Sequence, residues 1–289
     1  MTSSSTPSSP RPFSQVDVFT AVPYLGNPVA VVHDADGLTD EQLAAFARWT
    51  HLSETTFLMA PTVPGADYQL RIFTPSGELP FAGHPTLGSC HAWLAAGGRA
   101  LDADQGGEVV QECGVGLVTL RAGDGRLRFA APPITAETPV PDAELRAALA
   151  ALDLPPEAVV DHRFLDNGPR WSVLLLDSAD RVLALRPDWA ALGAAHLGVV
   201  GPYPAGSPAA FEVRGFAPAM GVPEDPVTGS LNAVVGQWLT GTGRAPDSYV
   251  ASQGTVLGRA GRVHVDRDVD GTVWVGGATV TCIDGIVTI

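Results

Sequence analysis

An α+β fold made of two similar β-rich halves is what this sequence predicts, and three observations lead there. Short β-type runs bounded by Gly, Pro, Asn and Asp recur along the chain, with only a few helical stretches between them. A strand–loop–helix pattern also occurs twice in the same order. Arg71-Ile-Phe73-Thr-Pro75 leads to Pro85-Thr-Leu-Gly88-Ser89 and an apolar stretch to Trp93-Leu94; Arg214-Gly-Phe216-Ala-Pro218 leads to Pro226-Val-Thr-Gly229-Ser230 and an apolar stretch to Trp238-Leu239. The arginines lie 143 positions apart and the prolines 141, which predicts a duplicated unit with a two-residue indel in its loop. Finally, 45% hydrophobic against 17% charged residues in a chain of 289 supplies a large core, in one large domain or two.

Taken in order, Met1 to Pro12 is rich in Ser, Thr and Pro, lacks the apolar stretch of a secretory signal, and is expected to be a floppy leader. Runs of β character follow at Val16–Thr20, Pro28–His33, Thr55–Ala60, Tyr68–Phe73, Val115–Arg121 and Leu127–Ala130. The second half carries them at Ser172–Asp177, Phe211–Phe216, Val263–Asp266, Thr272–Val275 and Ala278–Cys282. Asp40–Thr50 is predicted as a helix because Thr39 and Gln42 have capping-box spacing and Leu43, Phe46 and Ala47 share one face. Asp142–Leu152 is a second helix, ended by Pro155-Pro156. The prolines at 132, 133, 139 and 141 mark the join, giving halves of 13–132 and 133–289, with the extreme C-terminal strand a candidate addition to the first half.

Composition excludes several functions. With 17 cationic against 31 acidic residues the formal net charge is −14, the wrong sign for a nucleic-acid surface. There is no lysine, so an internal Schiff base, pyridoxal-phosphate chemistry on it and a Walker-type loop are excluded. No apolar run reaches the roughly 18 residues of a membrane span. Cys90, Cys113 and Cys282 are an odd, scattered set that suits a reducing cytoplasm and neither a disulfide framework nor a zinc knuckle. The seven histidines form no metal-ligand spacing, and no metal is expected. Neither G-x-S-x-G nor a G-x-G-x-x-G after a strand occurs. What remains is acid–base chemistry by side chains and oriented backbone dipoles, and moving a proton beside a carbonyl or carboxylate suits it best.

Candidate residues fall at the repeated loops. Gly88-Ser89 and Thr228-Gly229-Ser230 each precede an apolar helix, where free N–H groups and the helix dipole favour a carboxylate or enolate oxygen; the plain alternative is two helix caps. Glu54, in Leu52-Ser53-Glu54-Thr55-Thr56-Phe57, begins a strand among apolar and hydroxyl side chains, where burial would move its proton affinity toward neutrality. An isolated strand glutamate is otherwise a solvated surface group. His84 sits in the tight Phe81-Ala82-Gly83-His84-Pro85 loop, and the repeat aligns it with Asp225 of Glu224-Asp225-Pro226, putting both at one site.

Val16-Asp-Val-Phe19, Gly26-Asn-Pro28-Val-Ala-Val-Val32, Leu52-Ser-Glu54-Thr-Thr-Phe57, Phe73-Thr-Pro75, Glu78-Leu-Pro80-Phe-Ala-Gly83-His84-Pro85-Thr-Leu-Gly88 and Glu224-Asp225-Pro226-Val-Thr-Gly229-Ser230 occur in order, with Gln253-Gly254, Gly258-Arg259-Ala-Gly261 and Gly276-Gly277 behind them. Together they resemble the phenazine-biosynthesis PhzF family, within the diaminopimelate-epimerase-like fold, from about Gln15 to the C-terminus. The resemblance implies two β-barrel-like halves, each around a central helix, with a cofactor-free site in the cleft between them. In the best-understood family activity, isomerisation of trans-2,3-dihydro-3-hydroxyanthranilate, a glutamate moves a proton between ring carbons. Glu54 matches it; Asp225, His84 and Ser230 match the residues holding the substrate, helped by Gly83, Pro85, Thr228 and Gly229. The related two-cysteine racemases carry cysteines where this chain has Ala82 and Asp225, which sets that chemistry aside. Leu231-Asn232 stands where the family often has a small residue and histidine, and is expected to line or crowd the pocket. The resemblance further implies a small carboxylate as partner and a homodimer. An epimerase using Glu54 and Asp225 as opposed bases, and a non-catalytic anion-binding protein, are the rival readings.

Overall fold

A computed structural model of the protein describes residues 9–101, 108–218 and 222–289. The first half runs β1 (Pro10–Val18), β2 (Asn27–Val32), α1 (Asp40–Thr50), β3 (Thr55–Met59), β4 (Tyr68–Thr74), β5 (Gly77–Leu79), α2 (Gly83–Ala95), β6 (Val109–Cys113), β7 (Gly116–Gly123) and β8 (Arg126–Ala130). A connection with β9 (Ala136–Thr138) and α3 (Asp142–Leu152) follows. The second half runs β10 (Val159–Asp166), β11 (Arg170–Leu176), α4 (Ala179–Ala184), α5 (Trp189–Leu192), β12 (Leu197–Pro202), β13 (Phe211–Ala217), β14 (Val222–Asp225), α6 (Gly229–Gly241), β15 (Ser248–Gln253), β16 (Gly261–Arg267) and β17 (Val273–Gly277), and β18 (Thr279–Thr288) ends the chain.

The duplication is visible in the pairing. In the first half β1–β2 is antiparallel, β2–β3 parallel, β3–β4 and β4–β5 antiparallel, β4–β6 parallel, and β6–β7–β8 antiparallel. The second half repeats that series with β10–β11, β11–β12, β12–β13, β13–β14, β13–β15 and β15–β16–β17. Each half also receives the strand that follows the other: β18 pairs with β1, and β9 with β10. The last strands of the two copies, β8 and β17, pair with each other. One hydrogen-bonded path therefore runs through both halves.

The two 13-residue helices α2 and α6 lie inside these curved sheets because they offer no polar face: nine residues of α2 and ten of α6 are buried. Glycine lets the strands close on them. A Cβ on Gly88 of α2 would lie 2.4 Å from Val29 Cγ1, and one on Gly236 of α6 would lie 2.8 Å from Val265 Cγ1. Outside, α1 packs Leu43 and Ala47 against Phe57 and Phe73, whereas α3, α4 and α5 cover Leu174, Leu176 and Phe216. The capping box of α1 is present, Thr39 Oγ1 accepting from the Gln42 N–H and Gln42 Oε1 from the Thr39 N–H. Helix α3 keeps the expected bounds and ends at Asp153 in the left-handed region.

Three expectations change. Pro10 to Pro12 belong to β1 and pair with Ile286 to Thr288, so the leader is shorter than Met1 to Pro12; residues 1–8 lie outside the described ones. Strands β5, β6, β9, β10, β12, β14 and β15 escape the sequence reading, β12 because Leu-Gly-Val-Val-Gly-Pro reads as a loop. Its glycines have a packing cause: Gly198 admits Leu231 and Gly201 admits the Ser178 carbonyl, each within 2.3 Å of where a Cβ would sit. The indel is also different. The offset of 143 between Arg71 and Arg214 becomes 146 by the first residues of α2 and α6, Gly83 and Gly229, so the second copy carries three extra residues. Ser89 then falls inside α2, fully buried, and donates to Thr56 Oγ1 at 2.8 Å; it does not begin the helix.

The repeated arginine makes the same bond in both copies. Arg71 Nε and Nη2 donate to Glu78 Oε1 and Oε2 at 2.8 and 2.6 Å, and Arg214 Nε and Nη2 to Glu224 Oε1 and Oε2 at 2.8 Å each. Only the second is buried, with side chains 2% and 5% exposed, and there Nη1 also donates to the Val182 and Leu185 carbonyls at the end of α4. Removing Arg214 leaves an uncompensated buried carboxylate. Arg214→Ala is expected to cost about 3–5 kcal/mol in urea unfolding, and Arg71→Ala about 1 kcal/mol or less.

Candidate active site

Helices α2 and α6 begin face to face at the junction of the halves. A Cβ on Gly229 would lie 3.0 Å from Gly83 Cα, and one on Gly83 would lie 2.7 Å from Phe129 Cζ, so only glycine permits this approach. The residues before the helices, Ala82 and Thr228, supply no side-chain cap, which leaves the first-turn N–H groups uncapped by them at the junction. Pro85 is the third residue of α2, where its missing N–H deprives the helix of no internal bond.

A cavity of about 350 Å³ opens beside this junction. Leu79, Pro80, Phe81 and Ala82 from the first half and Trp171 and Ala217 from the second form its apolar walls. Glu54, Asp225, Thr228, Ser230, Asn167 and His196 bring polar groups to it. No cysteine lines it among the described residues. Of the site residues read from the sequence, Glu54, Asp225, Thr228 and Ser230 line the cavity; His84 sits behind Glu54, Gly83 and Gly229 form the junction, and Pro85 is buried in α2 away from the lining.

Helix α1 places Glu54. Its left-handed end at His51 turns the chain, and Leu52-Ser53 carries it to the start of β3, leaving Glu54 at the cavity edge with its side chain 14% exposed. Oε2 lies 3.5 Å from His84 Nε2, and neither atom has a hydrogen-bond partner. Burial raises Glu54 from its ordinary 4.5 to about 7, against a hydrogen bond from Ser53 that lowers it. Burial lowers His84 to about 4, outweighing the Asp225 charge and a hydrogen bond with the Pro28 backbone. His84 is therefore neutral at pH 7, and the contact is not an ion pair.

Asp225 is held differently. Asn27 Nδ2 donates to Oδ1 at 2.8 Å and Thr228 Oγ1 to Oδ2 at 2.7 Å, so both oxygens are engaged. Burial, and then the Glu54 charge, raise it to about 6 despite these bonds. Gln253 braces the corner from β15, donating to the Asp225 carbonyl (3.1 Å) and Thr228 Oγ1 (2.9 Å) while Oε1 accepts from the Thr228 N–H (3.0 Å). On the second wall the Trp171 indole N–H donates to Ser230 Oγ at 3.2 Å, and Asn167 Nδ2 to the Ser230 carbonyl at 3.4 Å.

Two sequence expectations are corrected here. His84 does not correspond to Asp225 across the duplication: helix starts align it with Ser230, and the two meet in space because Asn27 Nδ2 lies 3.4 Å from His84 Nδ1 while bonding Asp225. Leu231 and Asn232 do not line the pocket. Leu231 is fully buried against Gly198 and Gly215, and Asn232 Nδ2 donates to the Thr228 carbonyl and Gln253 Oε1. The sequence reading misses Asn27, Gln253, Asn167, Trp171 and His196 as site residues. Asn27 and Gln253 stand within the motifs that carry the resemblance, whereas the other three have no local signal and appear only when strands are paired.

A cleft between two β-barrel-like halves, with buried ionisable groups beside two helix N-termini, places the chain in the epimerase-like fold class. The chain belongs to the phenazine biosynthesis-like PhzC–PhzF family, whose family model matches residues 16–285. It is 38% identical to antisense-enhancing sequence 1 of Schizosaccharomyces pombe, over 94% of this chain and 97% of that one. It is 37% identical to trans-2,3-dihydro-3-hydroxyanthranilate isomerase of Pseudomonas fluorescens, over 74% of each. Its structure superposes on a PhzF-family phenazine biosynthesis protein of Bacillus anthracis with a TM-score of 0.82, at 22% identity, covering 97% of this chain and all of that one. The protein is an isomerase of the PhzF type.

The raised Glu54 makes stability depend on pH. Its proton is held more tightly in the folded chain than in the unfolded one, so its contribution is full below about 4.5 and lost as pH rises to about 7. Glu54→Gln keeps the shape without ionising. Its stability relative to wild type is expected to climb by a few kcal/mol between pH 4.5 and 7 and then level off, read from urea midpoints across that range.

Proposed function

We propose that the protein is a cofactor-independent isomerase that shifts a proton within a small, cyclic, carboxylated substrate, with Glu54 as the single acid and base. The observation that carries this reading is a buried glutamate beside a cavity, poised near pH 7, with one carboxyl oxygen unpartnered. A carboxylate there takes a proton from one carbon, and the carboxylic acid so formed returns it to another; the group ends as it began, and no electron sink is required. The relatives named trans-2,3-dihydro-3-hydroxyanthranilate isomerase supply the substrate class, and the apolar walls suit its ring.

The remaining residues hold the substrate. Asp225 accepts hydrogen bonds from an amino or hydroxyl group, His84 offers Nε2 beside Glu54, and Ser230 and Thr228 offer hydroxyls. N–H groups of the turns at Gly83 and Gly229 favour negative charge developing next to the abstracted proton. Pro85 serves by starting α2 where it does. Use of Asp225 as a second, opposed base is less well supported, since Asn27 and Thr228 occupy both its oxygens. The absence of lysine supports independence from a Schiff-base cofactor. The three free cysteines favour a cytoplasmic setting, and a homodimer follows family habit.

Glu54→Gln is expected to fold normally and to lose roughly 10²–10⁴-fold in turnover of trans-2,3-dihydro-3-hydroxyanthranilate. In D₂O, one shuttling carboxyl can retain part of the substrate hydrogen in the product, whereas two opposed bases replace it with deuterium. Full activity in the Glu54→Gln variant removes Glu54 as the lone proton carrier, and retention of substrate hydrogen at the receiving carbon removes the reading with two opposed bases.

A further inference from the structure

The duplication gives Glu54 a counterpart. Glu54 immediately precedes Thr55, which pairs with Ala30 on the parallel side and Phe73 on the antiparallel side. In the second half Leu197 takes that place between Ser172 and Phe216, and the residue before it is His196. Phe73 and Phe216 are themselves matched in the sequence repeat, so the equivalence is fixed from both neighbours. His84 and Ser230, the second residues of α2 and α6, are equivalent in the same way. The first half thus presents a carboxyl with an imidazole behind it; the second presents an imidazole with a hydroxyl.

His196 lines the same cavity as Glu54 and makes no side-chain hydrogen bond among the described residues. Its ring stacks on Trp171 at 5.6 Å with planes 33° apart, and the Trp171 indole N–H is committed to Ser230 Oγ. That bond uses the serine oxygen as acceptor and leaves its proton free to donate. An imidazole in either tautomer also offers one N–H. The second wall therefore carries two donors, joined through one indole, while the first carries the carboxyl of Glu54. Among the described residues no arginine lines the cavity, so a carboxylated ligand finds no guanidinium there, and Glu54 and Asp225 disfavour placing its carboxylate beside them.

We propose that His196 is a substrate-positioning residue that holds the carboxylate of the ligand through its ring N–H, with the Ser230 hydroxyl beside it, so that the second half binds and the first half moves the proton. The assignment rests on the reading above that the substrate is a cyclic carboxylate. Its test does not require turnover.

Benzoate serves as the probe, with benzamide as its uncharged counterpart, and binding is followed by calorimetry on the full chain. His196→Phe, which keeps an aromatic ring against Trp171 without an N–H, is expected to weaken benzoate roughly 10-fold and benzamide by much less. His196→Gln, which restores an N–H, is expected to recover most of that loss. In wild type the His196 ring ¹⁵N resonance, identified by its disappearance in His196→Gln, is expected to shift on adding benzoate, a readout independent of how the Phe variant folds. Unchanged benzoate affinity in His196→Phe, a Gln variant as weak as the Phe variant, or a ¹⁵N resonance indifferent to benzoate each overturns the proposal. The same comparison in a Glu54→Gln background should give the same ratio, since the role of Glu54 is judged by turnover alone.

Discussion

Two glycines without side chains determine where this site lies. Gly83 and Gly229 bring the first turns of α2 and α6 so close that a Cβ on either meets a neighbour at 3.0 Å or less. A helix N-terminus carries about half a positive charge, and opposing two such ends costs energy in proportion to their nearness. The geometry becomes favourable when negative charge sits at the junction, and Asp225 sits there, bonded by Asn27 and Thr228. The packing of apolar helices inside two curved sheets and the placement of acidic chemistry between them are thus one constraint seen at two scales.

Burial then sorts three ionisable groups of one cluster into different roles. The same desolvation pushes Glu54 and Asp225 up and His84 down. Asp225 is partly restored by two strong donors, while Glu54 has only Ser53 to oppose its burial. The group with fewest partners is therefore the one whose proton is most easily exchanged near neutral pH. A neutral imidazole 3.5 Å away neither pins the Glu54 charge nor repels its proton. Adding a strong donor to Glu54 would stabilise its ionised form and make it a weaker base, so the unsatisfied oxygen suits the proton transfer proposed for it.

Much of this is legible in the chain, and the misses have physical causes. Helix α1 is readable because its cap, its apolar face and its polar flanks agree. The duplication is readable because Arg71 and Arg214 make the same bidentate bond to Glu78 and Glu224. The loop alignment fails because Pro-Gly resemblance between Pro85 and Pro226 outweighs the true equivalence of Gly83 and Gly229, which is a matter of Cβ clearance and invisible to residue type. Strand β12 is hidden by glycines chosen for Leu231 and for the Ser178 carbonyl, two contacts remote in sequence. Ser89 and Leu231 look like site residues through proximity to the motif, and the helix rotates both into the core.

His196 and Trp171 show a deeper reason why half of a site escapes a linear reading. Selection on a duplicated scaffold preserves positions, not side chains: the residue before β3 became a carboxyl and the residue before β12 an imidazole. A search for repeated residues therefore finds the scaffold and misses the chemistry grafted onto it. If both positions had kept a carboxyl, the cavity would hold a third negative group and reject an anionic ligand; if both had become imidazoles, no carboxyl with a proton affinity near neutrality would remain at either. In the proposed reading, divergence at this one pair of equivalent positions is what allows a single cavity to bind an anion on one side and carry a proton on the other.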